Sequence, residues 1–145
     1  MIRFAQATAV LFCLGLSAGP ALANTAATKA INSVRAQQGL TNVAYSKALE
    51  AAARLHAQDM ARTGKFSHKG SDGSNVAKRV RRQGYSWCLV AENIAMGQTS
   101  LNQVMREWVA SKPHLKNMLL PKAREFAVVE GPGNRWVMVL AAPGC

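Results

Sequence analysis

The end of this chain limits its fold more than any other part. Phe126 to Val129 and Trp136 to Ala141 are apolar runs joined by Gly131-Pro132-Gly133-Asn134, a spacing and turn chemistry that predict a β-hairpin. A hairpin alone is marginal in water, and what precedes it reads as helix. Asn24 and Thr25 can cap a helix carrying Ala27, Ile31 and Val34 at helical spacing and stopped by Gly39. A second helix starts at Ser46, puts Leu49, Ala53, His56 and Met60 on one stripe and ends at Gly64. Ser71-Asp72-Gly73-Ser74 is turn chemistry, and a basic third helix runs from about Asn75 to Gln83. Leu89-Val90-Ala91 reads as a short buried strand. Ser100 and Gln103 form a capping box for a fourth helix with a face of Leu101, Val104, Met105 and Trp108, ending ahead of Pro113. A short helical piece spans His114 to Leu120. Helices first and most strands last give an α+β class with helices packed on a small sheet.

The N-terminus reads as an export signal. Arg3 precedes a short apolar run, Ala9 to Leu16, and Ala21-Leu22-Ala23 offers small residues where a signal peptidase needs them. The expected cut lies between Ala23 and Asn24, giving a signal peptide over 1–23 and one domain over 24–145. Gly19 and Pro20 end the apolar run short of the roughly 20 residues of a membrane span, so no transmembrane anchor is expected after cleavage. Cys13 lacks the small-residue box of a lipoprotein and leaves with the signal. Of the 145 residues 122 remain, the size of one compact domain. That domain keeps Cys88 and Cys145, an expected disulfide in an oxidising compartment. If the strand at 89–91 runs antiparallel to the one at 136–141, Cys88 falls beside Cys145.

The formal charge is +11, or +10 once Arg3 has left. Such a domain is drawn to anionic surfaces. Export makes nucleic acid an unexpected partner and points to lipid headgroups or anionic envelope polymers, with the domain secreted or periplasmic and expected to be a monomer. The densest cluster, Lys78, Arg79, Arg81 and Arg82, reads as the solvated face of the third helix, with Val76 and Val80 on its other side.

The expected domain over 24–145 lacks Gly-x-Ser-x-Gly, His-Glu-x-x-His, Cys-x-x-Cys and phosphate-loop patterns. What remains is His68, Glu92 and His114, each at the end of an element. Two His and a carboxylate can hold Zn²⁺ with a position open for water, or the carboxylate can fix one imidazole for acid–base work. Their spacing selects neither, and each equally reads as an ordinary hydrogen-bonded residue. His56 reads as a satisfied core histidine, and Trp108 and Trp136 as core. Trp87 and Tyr85 could rim a groove.

Five segments in order, Ala53-x-x-His56-Ala57-x-Asp59-Met60-Ala61, Phe66-Ser67-His68, Glu92-Asn93-Ile94-Ala95 with Gly97, Trp108-x-x-Ser111 and His114-x-x-Asn117-Met118-Leu119, resemble the CAP superfamily of cysteine-rich secretory, antigen five and pathogenesis-related one proteins, in its short bacterial form. The resemblance implies an α/β/α sandwich with a small, about three-stranded antiparallel sheet, and a cleft lined by two His and two acidic residues. His68, Glu92 and His114 match three of these. The fourth falls on Ser111, which removes one carboxylate. Leu115, Pro113 and Ala127 also depart from the family pattern. The expected function is a secreted binding module in which the His68–Glu92–His114 cleft or a neighbouring apolar groove takes a lipid, a wall fragment or a divalent metal. A peptidase- or esterase-like hydrolase with His68 or His114 as general base and Glu92 as its orienter is the alternative; Ser111 could be a nucleophile there but more simply ends the fourth helix. Adhesion or protein interaction through the basic face is a third.

Overall fold

The computed structural model of this protein describes residues 20–145. In chain order it has α1 (Pro20–Ala36), β1 (Ala44–Tyr45), α2 (Lys47–Thr63), α3 (Val76–Arg82), β2 (Trp87–Met96), α4 (Leu101–Ala110), α5 (Lys112–Met118), β3 (Glu125–Gly131) and β4 (Arg135–Pro143). The four strands lie in the order β1-β3-β4-β2. The expected hairpin is β3–β4, and β2 pairs antiparallel with β4 along its length. The expected sheet of about three antiparallel strands gains β1, whose two residues pair parallel with β3. Two residues are too few for a period to register in sequence.

Strand alternation sorts the core into two layers. Phe126 and Val128 of β3 and Trp136, Met138 and Leu140 of β4 pack with Ile31 of α1, Val104 and Trp108 of α4 and Met118 of α5. The residues between them, Ala127, Val129, Val137, Val139 and Ala141, pack with Leu49, Ala53 and Met60 of α2 and Val80 of α3. Both sheet faces are therefore covered, which is why both hairpin strands are apolar throughout. Gly131 is required by this packing: a Cβ there would lie 2.6 Å from the Ala57 Cβ of α2. Gly64 ends α2 in a left-handed conformation, φ 70°, which costs other residues more.

Residues 1–19, holding most of the expected signal peptide, lie outside the described residues. Helix α1 begins at Pro20 and runs through the expected cut site, so Asn24 is a helical residue and not a cap; its carbonyl accepts the Thr28 hydroxyl at 2.7 Å. Strand β2 is longer than expected from Leu89-Val90-Ala91 because polar Glu92 and Asn93 break the apolar run while staying buried. Cys88 and Cys145 are bonded, as the antiparallel β2–β4 pairing requires. Closing a loop of 57 residues constrains the unfolded chain by about 4 kcal/mol. No described helix is long and apolar enough to cross a membrane.

Candidate functional site

The site is organised by two consecutive residues of β2 that face opposite layers. Ile94 belongs to the α2–α3 layer and Ala95 to the α1–α4–α5 layer, so by alternation Glu92 faces α2 and α3 while Asn93 faces α5. Both are buried.

On the first side the Glu92 carboxylate binds three groups. Its Oε2 accepts from an Arg79 guanidinium nitrogen at 2.7 Å, and its Oε1 accepts from His68 Nδ1 at 2.8 Å. His56 Nε2 lies 3.9 Å from the same Oε1. His68 stands on the irregular segment between α2 and α3, and the same buried side chains hold that segment's backbone. Arg79 donates to the carbonyls of His68 at 3.1 Å and Ser74 at 3.0 Å, and His56 Nε2 donates to the carbonyl of Ser67 at 2.9 Å. The turn after His68 closes through Gly70 N–H to Ser74 O, and the Asn75 side chain then caps α3. Burial pushes the His56 pKa down; Arg79 adds to this, while Glu92 and the Ser67 bond oppose it. His56 Nδ1 has no partner. His56 is thus core, as its stripe suggested, but it also belongs to the site.

On the second side, Asn93 donates to the His114 carbonyl at 3.1 Å, and Asn117 donates to Asn93 Oδ1 at 2.8 Å and to the Glu92 carbonyl at 3.2 Å. These amides fasten α5 to β2. Arg35 of α1, fully buried, donates to the carbonyls of Met118 and Leu120 and so satisfies the end of α5. Ser111 precedes α5, and its hydroxyl meets His114 Nδ1 at 2.9 Å rather than capping the backbone. Burial lowers the His114 pKa, and repulsion from His68 lowers it further. The two imidazole-bearing segments are thus fastened to adjacent residues of β2, His68 through its ring to Glu92 and His114 through its carbonyl to Asn93. His68 is the open member, its side chain 60% exposed against 2% for Glu92.

His68 contacts Glu92 directly, whereas His114 is tied to the neighbouring Asn93 through its carbonyl, so the three are not joined as metal ligands. Glu92 is occupied by Arg79 and His68, the Nδ1 atoms of His68 and His114 are engaged, and in these two rings only the Nε2 atoms lack a partner among the described residues. Among the described residues no group of three or more His, Cys, Asp and Glu could hold a metal ion. A zinc site built on His68, Glu92 and His114 does not fit this arrangement, because Glu92 Oε2 holds Arg79 and Oε1 holds the His68 ring, so an ion at the carboxylate would have to displace one or the other.

Arg79 is the main residue missed in the sequence. Counted with a solvated face, it is 7% exposed and points inward. The signal was present: Arg79 lies three residues after Val76 and beside Val80, on the stripe that α3 buries. Of its neighbours, Arg82 pairs with Asp72 and Arg81 lies 5.4 Å from the Trp87 ring. Tyr85, which in sequence could rim a groove, is buried in the α2–α3 layer. Trp108 and Trp136 are core as expected.

The profile of the cysteine-rich secretory protein family, CAP, matches residues 28–139. This chain belongs to that family. The CAP domain is 31% identical over 97 residues to YkwD of Bacillus subtilis (strain 168), a match covering 67% of this chain and 38% of YkwD; it thus spans less than half of that relative. Its fold is similar to that of an extracellular SCP-domain protein of Bacillus anthracis, with TM-score 0.77, 21% identity and coverage of 81% of this chain and 39% of the other. An outer surface protein of Borrelia burgdorferi gives TM-score 0.73 at 18% identity, covering 83% and 92% of the two chains.

Proposed function

We propose that this CAP domain is a binding module working outside the cytoplasm, and that its cleft receives an anionic group, phosphate or carboxylate, of an envelope lipid or wall polymer. The observation that carries this reading is the state of Glu92: the one carboxylate of the cleft is matched by buried Arg79, so no free negative charge opposes an anion. The imidazole Nε2 atoms of His68 and His114 face the ligand. Lys69, Lys112 and Lys116 stand one or two residues away, exposed. Work outside the cytoplasm is supported by the signal-like N-terminus and by the extracellular relative.

Calorimetric titration with inorganic phosphate and with glycerol phosphate near pH 6.5 at low salt tests this. We expect one site per chain, weakened tenfold or more in His68→Ala and in His114→Ala. Equal binding by both variants would overturn the reading, as would stoichiometric zinc binding that both variants lose.

The Ser111–His114 contact favours hydrolysis as a second reading. In its support a hydroxyl meets an imidazole at 2.9 Å; against it, the contact uses Nδ1 and no carboxylate orients that ring. Turnover of ester, peptide or peptidoglycan substrates that disappears in Ser111→Ala would establish it.

A further inference from the structure

The lysines of this protein are distributed unlike its arginines. Every ion pair among the described residues uses Arg or His, and none uses any of the eight Lys. Four of those eight fall in two five-residue segments, Lys65-Phe66-Ser67-His68-Lys69 and Lys112-Pro113-His114-Leu115-Lys116. These segments carry the two imidazoles and are fastened to adjacent residues of β2, Glu92 and Asn93, as the two lips of the proposed cleft. All four lysines are exposed, and neither segment contains an acidic residue.

Phe66 is the second part of the observation. It is 47% exposed on a segment whose backbone is fastened by His56 and Arg79. Its exposure therefore belongs to a held segment. An aromatic ring between ammonium groups matches the boundary of an anionic bilayer, where the ring enters the acyl edge and lysine stems keep their charges among the headgroups. A soluble polyanion would attract the lysines but give the ring nothing to bury. Lysine suits this role better than arginine already held in a bidentate or buried pair, since it remains a free point charge.

We propose that the two lips of the cleft dock on an anionic lipid bilayer, with Phe66 entering the interface and Lys65, Lys69, Lys112 and Lys116 contacting headgroups. The docking rests on the anion reading of the cleft and names its source as membrane lipid. It places the His68–His114 opening against the surface from which a headgroup would be drawn.

Co-sedimentation with vesicles tests this, using phosphatidylcholine alone and phosphatidylcholine containing phosphatidylglycerol, with all variants sharing one N-terminus and checked for native circular dichroism. Binding should require phosphatidylglycerol. Each pair, Lys65→Gln with Lys69→Gln and Lys112→Gln with Lys116→Gln, should weaken it roughly 25-fold, at roughly fivefold per lysine. Phe66→Ser should leave only binding that high salt abolishes. The control pair Lys29→Gln with Lys122→Gln removes the same charge elsewhere and should weaken it far less. Equal loss in the control pair, or no loss with Phe66→Ser, overturns the docking. The phosphate titration separately decides the cleft reading: phosphate bound in the cleft while lip variants sediment like the wild type overturns docking alone.

Discussion

The two imidazoles of the cleft are held by opposite means. His68 lies on an irregular segment and depends on buried charge: Glu92 fixes its ring, Arg79 its carbonyl and His56 the carbonyl before it. His114 lies on a helix and depends on neutral amides, Asn93 and Asn117, with Arg35 at the helix end. A helix satisfies most of its own backbone, so two amides suffice to fasten it. A segment without a ladder needs partners for its carbonyls, and Arg79 supplies several donors at once. The cost is a buried ion pair, which is dangerous to break singly.

The largest effect should therefore come from Arg79→Met. It leaves Glu92 buried without its counter-charge and frees the His68 carbonyl, for a loss of about 3–5 kcal/mol, read by urea denaturation. Adding Glu92→Gln should recover a substantial part, because the stranded charge is then gone. A loss under about 1 kcal/mol in the single variant would show that the charged side is no more demanding than the amide side.

Asn117→Ala probes that other side. It removes two hydrogen bonds and leaves Asn93 Oδ1 and the Glu92 carbonyl each short of a donor, for an expected loss of about 1–3 kcal/mol. In imidazole NMR the His114 signals should move and those of His68 should not. Movement of both would mean that the two sides are one unit, coupled through adjacent residues of β2.

This division also explains what the sequence disclosed. Apolar periodicity located the helices and the hairpin, because burial writes itself into residue type at regular spacing. The strand bearing the site was cut to Leu89-Val90-Ala91, because Glu92 and Asn93 are buried polar residues and their pattern is that of a loop. His68, Glu92 and His114 were legible through the family resemblance, not through spacing, since they meet only by tertiary packing. Arg79 was hidden by composition: among Lys78, Arg81 and Arg82 it resembles surface charge, and only its place on the Val76–Val80 stripe separates it. Asn93 and Asn117 sat inside recognised segments without a role, because an amide bridge between a strand and a helix has no sequence period.

The smallest effects concern protons, and they again divide the two sides. Burial lowers the pKa of both His56 and His114, whereas in the unfolded chain both return to about 6.5. Below that value the unfolded state binds more protons, so stability falls as pH drops from about 6.5 toward the lower folded values, by up to about 1.4 kcal/mol per pH unit for buried His56 and by less for the partly exposed, solvent-screened His114, and levels off beneath them. Denaturation at pH 7.5, 6.5, 5.5 and 4.5 should trace this slope; a flat profile would remove the claim that folding favours the uncharged form of these rings. The two differ in what acts on them besides burial. Glu92 opposes the lowering at His56, while at His114 repulsion from His68 adds to it. In His68→Ala the His114 pKa should therefore rise, yet stop short of its ordinary value, because burial remains the larger cause. A complete return to about 6.5 would make repulsion the whole effect and His114 as open to water as His68.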